Sequence, residues 1–132
     1  MKIAYIFPGQ GTQTVGMGKD IYEKFEEARN TYKRIDDALG ESIEKLTYEG
    51  LQEELNQTKN TQITIYAMSM AILEILNKNG IVPSAAAGLS LGEYSALTCA
   101  NAISLEEGAK IVRKRGTLME ELAPQGEWGM AA

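Results

Sequence analysis

Apolar and polar positions change period several times along the chain, and each change marks an element. The run Ile3-Ala4-Tyr5-Ile6-Phe7 favours β structure and closes at Pro8-Gly9, which predicts a buried strand over 2–7. From Asp20 to Leu39 the pattern is helical, and Gly40 follows as a stop. Glu41 to Asn60 is polar and predicts short helices joined by turns, with Leu46, Leu51 and Leu55 as anchors. Thr61 to Asn79 is the most apolar helical segment. Ile63, Tyr66, Met70, Leu73 and Leu76 leave it little polar face, so it belongs at the centre of the fold. Asn79-Gly80 ends that helix, and Ile81-Val82-Pro83 is a connector.

The second half reads as strand, helix, helix. Ala85-Ala86-Ala87 is a short apolar strand, and Glu93 to Leu97 is helix-like. Ser104 to Ala123 forms a further helix whose opening, Ser104-Leu105-Glu106-Glu107, has the form of a capping box, with Pro124 as its end. Strands separated by helices predict an α/β layer fold with a parallel sheet. Two or three strands are too few for a complete sheet, and Gly126 to Ala132 reads as a glycine turn and the opening of another strand. The expectation is therefore an N-terminal piece of a larger protein. Residues 1–125 belong to a large α/β subdomain and residues 126–132 begin a strand leading out of it.

Composition narrows the function classes. With 132 residues, 44% hydrophobic and 23% charged, the chain suits one modest globular domain. A net charge of −5 argues against nucleic-acid binding. The single cysteine, Cys99, sits among small apolar residues as a core filler, and the absence of histidine leaves no conventional zinc site. The apolar run at the N-terminus is too short for a signal-peptide core or a membrane span, so a cytoplasmic protein is expected.

Chemistry concentrates at Gly88-Leu89-Ser90-Leu91-Gly92. A G-x-S-x-G pentapeptide between a strand and a helix is the context of a nucleophile elbow, in which the serine stands on a sharp turn. A side chain at either glycine would crowd that turn. The helix start offers unpaired N–H groups and positive dipole where an oxyanion would form beside Ser90. An activated serine needs a base, most often histidine, and the chain has none. Either another base serves, or the base lies on polypeptide outside these residues, which the unfinished strand at the end favours.

Two further features have both a structural and a chemical reading. In the Ser104–Ala123 helix, Leu105, Ala109, Val112, Gly116, Met119 and Ala123 form the buried stripe. At ~100° per residue, Arg115 lies about 60° from Val112, at the stripe's edge, with Gly116 beside it to admit a close neighbour. Arg113 lies about 100° away and Lys114 nearly opposite, which assigns both to a solvated basic face. Arg115 either joins that face or points inward. The loop Gly9-Gln10-Gly11-Thr12-Gln13 is a glycine turn leaving the first strand. It is also a backbone-exposing loop at the strand's C-terminal end, able to give an oxyanion an N–H beside that of Leu91. It lacks the lysine and spacing of a phosphate-binding loop.

Phe7-Pro8-Gly9-Gln10-Gly11-Thr12-Gln13, Gly88 to Leu97 and Arg115-Gly116 together resemble the malonyl-CoA:acyl carrier protein transacylase family of fatty-acid and polyketide synthesis. The resemblance covers essentially the whole chain. It implies a three-layer acyltransferase/hydrolase-like fold, incomplete here, with a ferredoxin-like small subdomain absent. It also implies that Ser90 carries the acyl group and that the backbone N–H groups of Gln10 and Leu91 form the oxyanion hole. Arg115 would pair with the free carboxylate of a malonyl group, a task suited to a planar two-pronged guanidinium. Leu89 stands where the family commonly has histidine, and the family's catalytic histidine falls beyond Ala132.

The expected partners are malonyl-CoA, an acyl carrier protein and the missing C-terminal part of the same enzyme, with self-association of the fragment alone. No cofactor, metal, nucleic acid or membrane is implied. A serine hydrolase of the lipase or patatin kind would use the same elbow without an inward arginine. A non-catalytic fragment is the alternative of a different class.

Overall fold

The computed structural model describes residues 2–123. The elements run β1 (Ala4–Phe7), α1 (Lys19–Lys24), α2 (Glu26–Leu39), α3 (Ile43–Glu49), α4 (Gln52–Leu55), α5 (Thr58–Lys78), β2 (Ala85–Gly88), α6 (Gly92–Cys99) and α7 (Leu105–Leu122). The strands pair in parallel, from Ala4 opposite Ala85 to Phe7 opposite Gly88. The expected parallel sheet is present, with two strands among the described residues. Pro124 and the strand opening expected at 126–132 lie outside them.

Burial alternates along both strands, as the two-residue period of a half-covered sheet requires. Tyr5, Phe7, Ala86 and Gly88 are shielded, whereas Ala4, Ile6, Ala85 and Ala87 are exposed. Ser84 N–H donates to the Ile3 carbonyl at 2.7 Å and the Tyr5 hydroxyl to the Ile81 carbonyl at 2.8 Å, which binds the connector to β1.

The long helix is central as its pattern predicts. α5 packs against α2, α3, α4, α6 and α7, and Ile63, Tyr66, Met70 and Leu73 are buried in the core. It begins three residues before the predicted start. Its first turns bury Asn60, Thr61, Gln62 and Thr64, so polar residues as well as apolar ones face inward. Thr61 and Thr64 hydroxyls satisfy themselves on the carbonyls of Leu55 and Asn60.

Three local expectations are corrected. The helix predicted from Asp20 to Leu39 is two helices, broken at Phe25, whose φ of −113° and ψ of 126° are extended. The break is stabilised because Arg29 donates to the Tyr22 and Glu23 carbonyls, both at 2.9 Å, satisfying acceptors that a helix end leaves unpaired. Leu51 is not an anchor. It is 70% exposed, and Ile43, Thr47, Tyr48 and Leu55 supply the buried contacts of that segment instead. The buried stripe of α7 ends early, since Met119 is only half-buried and Ala123 is exposed.

The predicted ends are otherwise as expected. Gly40 adopts φ 66° and closes α2 with its N–H on the Asp36 carbonyl. The Ser104–Glu107 capping box is complete: Ser104 Oγ accepts from the Glu107 N–H, and the Glu107 carboxylate accepts from the Ser104 N–H.

Candidate active site

The turn between β2 and α6 is built by its glycines. Leu89 N–H donates to the Phe7 carbonyl at 3.2 Å, so the chain leaves β2 still tied to β1. Ser90 then takes φ 51°, a left-handed conformation that disfavours any residue with a Cβ. Strain of this kind, about 1–3 kcal/mol, persists where surrounding structure holds it, and it clusters at functional turns. A Cβ on Gly88 would overlap the Gly92 carbonyl, and one on Gly92 would overlap the Phe7 carbonyl oxygen. Both glycines of the pentapeptide are therefore required by close backbone approach. Leu91 is buried in the core and anchors the turn, leaving the Ser90 side chain exposed above it.

The helix start lies directly after the serine. Gly92, Glu93 and Tyr94 N–H groups return to the carbonyls of Leu89, Ser90 and Leu91 at 2.8, 3.1 and 3.1 Å. The Leu91 N–H donates to no protein acceptor among the described residues, and neither does the Gln10 N–H. The loop carrying Gln10 runs alongside the turn, since a Cβ on Gly9 would stand 3.0 Å from the Leu89 carbonyl oxygen. Two backbone donors, on two loops that run side by side, are thus left unengaged near the serine turn.

Arg115 reaches the same point from α7. Its Nη2 donates to Ser90 Oγ at 3.0 Å and its Nη1 to Gln62 Oε1 at 2.5 Å, while the guanidinium carbon lies 5.7 Å from the centre of the Tyr94 ring. Of the two readings open to Arg115, the structure takes the inward one. Gly116 permits it: a Cβ there would approach Lys59 Cα to 2.8 Å, so α7 lies close against the first turn of α5.

Arg113 corrects the expectation of a solvated face. Its side chain is only 19% exposed. It pairs with the Glu41 carboxylate and donates to the Lys59 carbonyl at 2.8 Å and to Asn60 Oδ1 at 2.9 Å. The close α5–α7 contact at Gly116 brings these acceptors beneath it. Lys114 is exposed, as predicted, and so is Lys110.

Gln62 and Tyr94 are site residues that the sequence reading missed. The available signal for Gln62 was the polar interruption Thr61-Gln62 ahead of the apolar run of α5. Among the described residues no cluster of three or more histidine, cysteine or acidic side chains could hold a metal ion, and no helix is long and apolar enough to cross a membrane. Leu89, beside the nucleophile position, is 73% exposed.

Comparison with known proteins gives this geometry a context. The model of the acyl transferase domain family matches residues 4–132. A malonyl CoA-acyl carrier protein transacylase of Bacillus subtilis (strain 168) is 46% identical over 131 residues, covering 99% of this chain and 41% of the relative. Among solved structures, a type II PKS acyl-carrier protein in complex with its malonyl-transacylase superposes with a TM-score of 0.90 at 41% identity, over 96% of this chain and 41% of that one. A malonyl CoA-acyl carrier protein transacylase from Clostridium perfringens gives 0.89 at 44% identity, over 96% and 40%. The chain spans about two fifths of the length of these relatives.

Proposed function

The chain belongs to the acyl transferase domain family, and on that premise we propose that it carries the nucleophile half of a malonyl-CoA:acyl carrier protein transacylase. Ser90 Oγ attacks the thioester carbonyl of malonyl-CoA. The carbonyl oxygen becomes an oxyanion held by the Gln10 and Leu91 N–H groups. Collapse breaks the carbon–sulfur bond, coenzyme A leaves as its thiol, and malonate remains as an ester on Ser90. The phosphopantetheine thiol of an acyl carrier protein then attacks that ester, forms the new thioester and returns the serine hydroxyl. A base takes the serine proton and gives it to the departing thiolate, and in the second half the carrier thiol's proton returns to the serine oxygen by the same base; histidine, the commonest base, is absent from the 132 residues. The oxyanion donors act without a metal or cofactor, and the pathway served is fatty-acid or polyketide synthesis in the cytoplasm.

The single observation that carries this reading is the Arg115 guanidinium at 3.0 Å from Ser90 Oγ. A permanent cation beside the nucleophile selects an acyl group that carries its own carboxylate, and its planar fork can grip both carboxylate oxygens. A lipase-like hydrolase built on the same elbow has no use for a charge there.

Intact-mass measurement tests the proposal. In the complete enzyme carrying residues 1–132, incubation with malonyl-CoA is expected to add one malonyl group, and Ser90→Ala to add none. The adduct should be discharged by the carrier thiol faster than by water. Discharge to water alone would identify a hydrolase, and a full adduct on the alanine variant would remove Ser90 from the mechanism.

A further inference from the structure

We propose that Gln62 is a positioning residue: it fixes the Arg115 guanidinium and couples it to the Gln10 loop. The inference rests on the carboxylate-binding reading of Arg115 given above.

Gln62 is fully buried on α5, a position where an amide is costly unless its groups are satisfied. Its Oε1 accepts from Arg115 Nη1 at 2.5 Å. Arginine has donors only, so the oxygen end of the amide must face it and the NH2 end must face away. That NH2 group stands 3.5 Å from Gln10 Oε1 and 3.3 Å from the Met119 sulfur. With its oxygen turned to Gln62, Gln10 directs Nε2 to Thr58 Oγ1 at 3.4 Å. Thr58 and Gln62 are one helical turn apart, so a single face of α5 holds both ends of the Gln10 amide. The chain of donors and acceptors is thereby oriented throughout, from Arg115 through Gln62 and Gln10 to Thr58. Its direction is set by the one group that cannot accept.

The first turn of α5 is itself clamped by α7. Arg113 takes the Lys59 carbonyl, Glu120 accepts from the Lys59 N–H at 3.0 Å, and Gly116 admits the Lys59 backbone between them. Gln62 follows three residues later on the same helix and inherits that rigidity. Because Nη1 is engaged by a neutral acceptor, the guanidinium keeps its full charge for a ligand while losing rotational freedom. The Gln10 backbone donor and the Arg115 side chain, which act on opposite ends of a malonyl group, are held in one register.

The test uses Gln62→Met, which preserves volume and removes the acceptor, and Gln62→Glu, which keeps an acceptor but adds charge. Both are placed in the complete enzyme and assayed with malonyl-CoA and acetyl-CoA, alongside Arg115→Ala and the Arg115→Ala/Gln62→Met pair. Gln62→Met is expected to raise KM for malonyl-CoA about tenfold to a hundredfold, the range for a hydrogen bond to a charged group, with a smaller loss of acetyl transfer through the Gln10 loop. Gln62→Glu should invert the preference, because its carboxylate occupies the guanidinium and repels malonate. On the Arg115→Ala background, Gln62→Met should change the malonyl-to-acetyl ratio no further. Equal losses for both acyl groups, or additive effects in the double variant, would overturn the proposal. An unchanged ratio in Arg115→Ala would bring down the carboxylate reading itself, and this inference with it. Should Gln62→Met fail to fold by thermal melting, the Gln62→Glu preference decides alone.

Discussion

Arg115 Nη2 donates to Ser90 Oγ across 3.0 Å although the two residues stand 25 positions apart, one on the β2–α6 turn and the other on α7. The contact depends on three separate local features. The elbow lifts Ser90 above the sheet, Gly116 lets α7 approach α5, and Gln62 holds the other side of the guanidinium. Position, charge and geometry converge on one oxygen atom.

If the guanidinium binds the malonyl carboxylate, Arg115→Ala will lose malonyl transfer while acetyl transfer survives or rises. A charge-assisted hydrogen bond to a carboxylate is worth about 1.5–3 kcal/mol, or roughly one to two decades in rate. Steady-state rates with both acyl-CoA substrates check this. Equal losses would make the arginine structural.

The elbow glycines should not tolerate even one carbon. Gly92→Ala places a Cβ into the Phe7 carbonyl oxygen, where only backbone movement can relieve it. The expected result is loss of Ser90 malonylation together with a lower melting temperature. Gly40→Ala is the control: Gly40 is left-handed at φ 66°, which Gly92 is not, but it has open space around the new carbon. It should cost only about 1–2 kcal/mol and leave acylation intact. Comparable damage from both substitutions would contradict the packing argument.

Burial pushes the Tyr66 phenol from its ordinary 10.0 up to about 12, only partly offset by its hydrogen bond with Thr98 at 2.9 Å. The folded state therefore holds this proton at pH values where the unfolded chain releases it. The stability it confers is complete below about pH 10 and is lost as pH rises through about 12. Denaturation at a series of alkaline pH values should show that decline. Tyr66→Phe should make it shallower, and an identical slope in the variant would assign the effect to other groups, among them Tyr48, which is also raised to about 12 by burial.

Residues 1–132 taken alone are expected to self-associate. Ile6 is 82% exposed on the uncovered face of the sheet, and β1 has one edge without a partner strand among the described residues. A groove of about 430 Å³ beside it is lined by apolar side chains that include Phe7, Met68 and Ile72. Light scattering should report a mass above the monomer, reduced by Ile6→Lys, which places a charge on that face. A monodisperse monomer from the unaltered chain would refute the expectation.

Much of the fold was legible because its signals are local. The capping box at Ser104, the stop at Gly40 and the apolar run of α5 each depend on residues within a turn or two of one another. The errors arose where a distant group altered a local preference. Phe25 breaks a helix that its neighbours would continue, because Arg29 from the next helix satisfies the carbonyls the break exposes. Leu51 is apolar yet faces water, since α3 and α4 fill the core with Ile43 and Leu55 instead.

The candidate site divides along the same line. The elbow could be read from consecutive residues, because strand, glycines, serine and helix follow one another along the chain. The sequence also narrowed the basic cluster of α7 to an edge position at Arg115. Helical periodicity assigns each side chain a direction about its own axis, but it does not state what stands in that direction. Packing between distant elements is what brings Arg115 to Ser90, takes Arg113 out of solvent to Glu41 and the Lys59 carbonyl, and sets a buried glutamine on α5 between the arginine and the Gln10 loop. Those contacts exist because α7 and α5 touch at Gly116, and the closeness of two helices is a property of their packed surfaces rather than of either sequence segment.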